Sequence, residues 1–192
     1  MKAFMVFCLL ISTCLLSACT GLFNKDTILD IVKDKYQIDD TVKSSVNQDD
    51  TAMIFLAKNQ SIDDVSKALQ KEKKPDRASN RVDNKKVLVY ENYFVTLTKD
   101  DKDPKDTNIE VATYGFVRDN YRPSFFDGLL AYYILDNLFD VDDWHRKQGR
   151  RCYATNGCYQ GYNHSGGHYK GPGSKPLFRS SSIRGGGPNA GK

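Results

Sequence analysis

Two cysteines and two histidines near the C-terminus form the most chemically suggestive pattern in this sequence, Cys152-x5-Cys158-x5-His164-x3-His168. Two thiolates and two imidazoles can complete a tetrahedral zinc site. The gap between the cysteine pair and the histidine pair is shorter than the roughly twelve residues of a zinc finger. Outside the cytoplasm, two thiols this close tend to oxidise instead, and a disulfide closing so short a loop stabilises by about 2 to 3 kcal/mol in the chain-entropy model. We therefore expect a disulfide between Cys152 and Cys158, with zinc held by Cys152, Cys158, His164 and His168 as the alternative.

Other candidate chemistry is weaker. Gly186 to Lys192 matches the start of a phosphate-binding loop, G-x4-G-K. Such a loop works between a strand and a helix whose backbone N–H groups meet phosphate; here Pro188 removes a donor, and nucleotide binding is not expected. The paired acids Asp39-Asp40, Asp49-Asp50, Asp63-Asp64 and Asp100-Asp101 lack the spacing of a calcium-binding EF-hand and read as turn and cap residues. No serine or cysteine sits in a recognisable nucleophile context beside His145, His164 or His168. The expectation is a non-enzyme without a cofactor.

The first residues decide the compartment. Lys2 precedes a run from Ala3 to Leu16 that is apolar apart from Ser12 and Thr13, the layout of an export signal. The run is shorter than the roughly 20 residues that span a bilayer. It ends in Leu16-Ser17-Ala18-Cys19, which resembles a bacterial lipobox: an aliphatic residue, two small residues that enter the signal peptidase, and the cysteine that receives a diacylglyceryl group. We expect residues 1–18 to be a lipoprotein signal peptide and Cys19 to be lipidated. Two acyl chains hold a protein stably on a membrane where one holds marginally. The expected location is the extracytoplasmic face of a bacterial cell membrane. Of five cysteines, Cys8 and Cys14 then leave with the signal, Cys19 carries lipid, and Cys152 and Cys158 remain.

The net charge of +4 hides a division, because no Asp or Glu follows Asp143. Residues 144–192 carry nine Lys and Arg, and eleven of the fourteen glycines. Composition therefore places a boundary near Asp143, separating a globular domain of residues 19–143 from a basic, Gly- and aromatic-rich tail of residues 144–192, partly disordered. In the tail, Trp144, Arg146, Arg150 and Arg151 cluster as candidate contacts for anionic lipid or anionic envelope polymer, or for a membrane-protein partner. Nucleic acid is not an expected partner.

These residues need elements to position them. Ile28, Ile31, Val32 and Tyr36 follow helical spacing behind Thr27, and Ile62, Val65 and Leu69 do so behind Ser61-Ile62-Asp63-Asp64, a capping pattern. Ala52 to Ala57 suits a buried strand, Lys74 to Asn84 a loop, Val87 to Thr98 a strand, and Ile109 to Arg118 its antiparallel neighbour. A last helix starts at Pro123-Ser124 and runs through Phe139, apolar nearly all round. The expected fold is α+β, a small two-layer sandwich of about three strands and three helices with the helices on one sheet face.

At the C-terminus, Ser180-Ser181-Ser182-Ile183-Arg184-Gly185-Gly186-Gly187-Pro188 resembles the ending of a bacterial lipoprotein family of unknown function, domain of unknown function 4247. Lipobox and body length fit it too. The resemblance implies no catalytic residue. Members of that family are thought to be encoded near small membrane proteins and polyamine-synthase-like enzymes, and the constancy of their ending implies a specific contact by Ile183 and Arg184. Together these readings give the expectation of a non-catalytic binding or accessory module of the cell envelope, with a metal-binding or metal-sensing lipoprotein as the alternative.

Overall fold

In a computed structural model, residues 27–155, 157–167 and 169–171 are described. Cys19, His168, Ile183 and Arg184 lie outside them. Helix α1 (Ile28–Lys35) starts at Thr27, whose hydroxyl accepts from Asp30 N. Strands β1 (Gln37–Lys43) and β2 (Thr51–Ala57) follow, then α2 (Ile62–Glu72), capped by Ser61 accepting from Asp64 N. Both caps fill donors that the first helical turn leaves unpaired. Strands β3 (Arg77–Ala78), β4 (Lys85–Tyr90), β5 (Tyr93–Lys99) and β6 (Thr107–Thr113) complete one sheet, order β1-β2-β6-β5-β4-β3, with every pair antiparallel.

The α+β class stands, and the finer expectations need correction. The sheet has six strands, not three. The run from Val87 to Thr98 is two strands, because Tyr90 pairs with Tyr93 across the two-residue turn Glu91-Asn92. That turn lacks the Asn-Gly or Asp-Gly signature of the tightest hairpins, and the apolar residues on either side merge into one run. The neighbouring strand ends at Thr113, whose hydroxyl caps α3 (Tyr114–Asn120). The expected helix from Ser124 to Phe139 is a short 3-10 turn (Pro123–Phe126), a break through Gly128 at φ 73°, and α4 (Tyr132–Phe139), which starts at Ala131 without a side-chain cap. Gly128 supplies the left-handed conformation that ends the turn. Two helices complete the described chain, α5 (Trp144–Ala154) and α6 (Tyr162–Ser165).

Layering differs as well. Leu88, Val95, Leu97, Ile109 and Val111 share one core with Ile28, Val32, Ile62, Val65 and Leu69 from α1 and α2. Val87, Val89, Phe94 and Ala112, facing the other way along the same strands, share a second core with Phe116, Tyr121, Phe126, Leu135, Phe139, Trp144, Tyr159 and Tyr169. Strand residues alternate between faces, so a run that is apolar at every position has to be covered on both. The sheet is therefore the middle of three layers, and the helices are not confined to one face. The second cover extends beyond Asp143, so the change in composition there falls inside one packed unit. Among the described residues, no helix is long and apolar enough to cross a membrane.

The first core gives a graded test. Ser61→Ala removes one cap and should lower unfolding free energy by about 1 kcal/mol. Leu69→Ala, at a fully buried position, should lower it by about 3 kcal/mol. Urea unfolding followed by circular dichroism reads both.

Candidate functional site

Helix α5 divides its residues sharply. Trp144, Gln148 and Cys152, four apart, are buried, while Arg146, Lys147, Arg150 and Tyr153 are exposed and Arg151 is half-buried. Trp144 packs on Phe126 and Phe139. Its backbone N–H donates to Asp136 Oδ1 at 2.8 Å and its indole N–H to the Arg118 carbonyl at 2.9 Å. Trp144 is thus a core anchor and is not available as a surface contact. The Gln148 amide donates to the carbonyls of Asp119 and Tyr121, at 3.2 and 3.1 Å. These anchors turn the basic side chains outward, and of them Arg146 forms an ion pair with Asp143.

Cys152 and Cys158 are joined by a disulfide with a Cα–Cα distance of 5.2 Å. Both sulfurs are consumed in that bond, which leaves the zinc alternative without its two thiolates. Among the described residues, no group of three His, Cys, Asp or Glu side chains could hold a metal ion. The bond ties the end of α5 to the segment that carries Tyr159 into the core. There Tyr159 N donates to the Asn120 carbonyl and Arg122 N donates to the Tyr159 carbonyl, both at 2.8 Å, forming an isolated parallel bridge with Tyr121. The aromatic rings of Tyr121, Tyr159 and Tyr169 then meet edge to face at 4.9 and 5.1 Å.

At the base of this aromatic group sits Glu110, on β6 and almost wholly buried. Its Oε1 accepts from the Tyr121 hydroxyl at 2.7 Å and its Oε2 from Tyr162 N, the first residue of α6, at 3.1 Å. The Tyr159 hydroxyl lies beside the same carboxyl but makes no hydrogen bond of good geometry. Desolvation pushes the carboxyl from its ordinary 4.5 up to about 7, against the lowering effect of these phenol and backbone donors. No sequence signal marks Glu110, since an acid alternating with apolar strand residues reads as a solvent-facing position.

The α6 segment forms one wall of an open cleft of about 370 Å³, whose lining includes Lys85, Lys99, Phe125, Gln160, Tyr162 and His164. Gly161 at φ 86° lets the backbone pass Phe125, where a Cβ would stand 2.8 Å from the ring carbon Cε2. Of the expected ligand set, the structure brings Cys152 and Cys158 together and places His164 on this cleft. The paired acids act locally: Asp64 joins Ser61 at the start of α2, Asp100 accepts from Lys102 N and Asp103 N, Asp50 accepts from the Thr113 hydroxyl, and Asp39 and Asp40 accept from the Tyr162 hydroxyl.

A family model described as Domain of unknown function (DUF4247) matches residues 13–189. The chain belongs to this family. The match takes in Leu16-Ser17-Ala18-Cys19, both cores and the Ser-Ile-Arg-Gly-Gly-Gly-Pro ending, so the family unit includes residues on both sides of Asp143. No curated protein and no solved structure matches the chain.

Two outcomes check the site. A carboxyl whose proton is held more tightly in the folded than in the unfolded state stabilises the fold fully below pH about 4.5. That contribution is lost as pH rises through about 7, by about 3 kcal/mol in total. Glu110→Gln should abolish this loss between pH 5 and 8, as read by urea midpoints across that range. Replacing both Cys152 and Cys158 by serine should lower unfolding free energy by roughly 2 to 3 kcal/mol, and dithiothreitol should reproduce the effect in the parent chain but not in the variant.

Proposed function

We propose that this protein is a non-catalytic accessory module of the bacterial cell envelope, anchored by lipid on Cys19 at the extracytoplasmic face, with the outward face of α5 contacting an anionic surface. The single observation that carries the contact reading is the fixed exposure of Arg146, Lys147 and Arg150 on a helix whose other side is locked into the core by Trp144, Gln148 and Cys152. A basic surface held rigidly loses little side-chain and backbone entropy on binding compared with a flexible basic tail. Tyr153, 90% exposed, adds an aromatic ring to that face, a residue type favoured where apolar and wet environments meet. The support for lipidation is the lipobox-like Leu16-Ser17-Ala18-Cys19 behind a short apolar run. A disulfide between the last two cysteines accords with an oxidising compartment.

Anionic lipid headgroups attract such a face by about 1 kcal/mol per basic side chain near the membrane, with the attraction falling off within a Debye length. The expected partner is therefore the membrane that carries the anchor, or an anionic envelope polymer beside it. Deletion of residues 144–192 would not isolate this contact, because it removes Trp144, Tyr159 and Tyr169 from the core.

Point substitutions do isolate it. With residues 1–19 deleted to remove leader and lipid together, the chain should still sediment with vesicles containing phosphatidylglycerol at low salt and not with neutral phosphatidylcholine vesicles. Changing Arg146, Lys147 and Arg150 to Gln should weaken that binding at least tenfold without altering thermal unfolding. Equal retention by the triple variant would refute the contact role. Labelling of growing cells with radioactive palmitate should mark the parent chain and not Cys19→Ser.

A further inference from the structure

The chain between Tyr159 and Tyr169 is fastened at its ends and lightly held in the middle. Tyr159 is fully buried beside the Cys152–Cys158 disulfide, and Tyr169 is buried with its ring 5.1 Å from that of Tyr159. Between them α6 buries no residue, and Gly161 and Gly166 hold φ of 86° and 61°. Segments with little buried apolar surface open at lower free energy than the core around them. Residues 160–167 thus form a strap that can lift while Tyr159 and Tyr169 stay docked.

Polar bonds hold the strap down. Tyr162 N donates to Glu110 Oε2 at 3.1 Å, the Tyr162 hydroxyl donates to Asp39 and Asp40 at 3.3 and 3.1 Å, and Asn163 Oδ1 accepts from the Asn108 amide at 2.8 Å. Among the carboxylates in this set, Asp39 is exposed and Asp40 half-buried, while Glu110 is almost wholly buried. The closed strap therefore withholds water from one ionisable partner above all, and it does so by lying across the oxygen that accepts from Tyr162.

The groups that face Glu110 offer it no positive charge. Tyr121 at the end of α3, Tyr159 after the disulfide and Tyr162 on α6 are phenols that burial holds above their ordinary 10, so they stay neutral through pH 8. Across the ladder stand Ile54 on β2 and Thr96 on β5. The charges at the far end of Tyr162, Asp39 and Asp40, share the sign of an ionised Glu110. Protonation suits the closed strap, and ionisation favours any state that hydrates the carboxylate. We propose that residues 160–167 act as a pH-sensitive strap, closed over β6 while Glu110 is protonated and lifted when Glu110 ionises. This device is independent of the surface contact of α5, and it is a local opening that precedes unfolding of the whole chain.

Hydrogen–deuterium exchange of the full chain in detergent micelles, read by mass spectrometry at pH 5 and pH 8 and corrected for intrinsic exchange, tests this. Gln160, Tyr162, Ser165 and Gly166 carry the hydrogen-bonded amides of the strap. Their opening constant should rise at least fivefold from pH 5 to pH 8, and a carboxyl returning from about 7 to 4.5 sets the ceiling at roughly 70-fold. At both pH values it should exceed the opening constants of β5 and β6. Glu110→Gln should flatten the pH dependence, and His164→Gln, at the exposed imidazole of the strap, should leave it. The proposal is overturned by a rise below fivefold, by a strap that opens no more readily than β5 and β6, or by a rise that survives Glu110→Gln or vanishes in His164→Gln. Should Glu110→Gln fail to fold, the parent chain and His164→Gln decide.

Discussion

Central strands that are apolar on both faces impose a requirement that the whole molecule answers. Val87, Leu88 and Val89, with Phe94 and Val95, alternate between two cores and are each almost fully removed from water. Each buried aliphatic side chain contributes about 1.5 to 3 kcal/mol relative to exposure, so neither face can be left bare. The first face is covered by α1 and α2, two amphipathic helices with orthodox caps. The second is covered by elements with little regular structure between them: a 3-10 turn, three helices and a disulfide-closed segment, held by aromatic contacts among Phe94, Phe126, Phe139, Trp144, Tyr121 and Tyr159.

That second cover explains why a polar group sits so deep. Glu110 occupies a position on β6 whose neighbours along the same face, Asn108 and Ala112, are also buried. An ionised carboxylate in such a place costs several kcal/mol unless donors surround it. Here a phenol hydroxyl and a backbone N–H supply them. The same contact joins the sheet to α6 and so to the wall of the cleft, which makes the packing of the second face and the shape of the cleft one problem.

The parts of the fold written most clearly in the sequence are those with local rules. Thr27 and Ser61 cap the helices that their spacing predicts, Thr51–Ala57 is a strand, and Thr107–Thr113 pairs antiparallel with the strand before it. Where the structure departs, competing signals explain it. Strand β1 has only Val42 buried and a register shift between Ile38 and Asp40, so no alternation marks it. Helix α5 buries three residues among many charges, and its composition reads as solvated surface even though Trp144 and Cys152 are core. The disulfide was legible from the close spacing of the last two cysteines together with the expected oxidising compartment. The cleft was not, because Lys85, Lys99, Phe125 and His164 come from segments that only the tertiary fold brings together.

Among the described residues, Tyr159 and Tyr169 are the last in chain order to join the second core. Until Tyr159 and Tyr169 have docked, the rings of Phe116 and Tyr121 lack the partners that shield them. A nascent chain stopped near Asp143 would thus hold a finished face with α1 and α2 beside an open, sticky one. Such half-covered sheets associate with one another readily. Completion of this fold is a late, C-terminal event, and the short covalent loop at its end fastens the segment that shuts it.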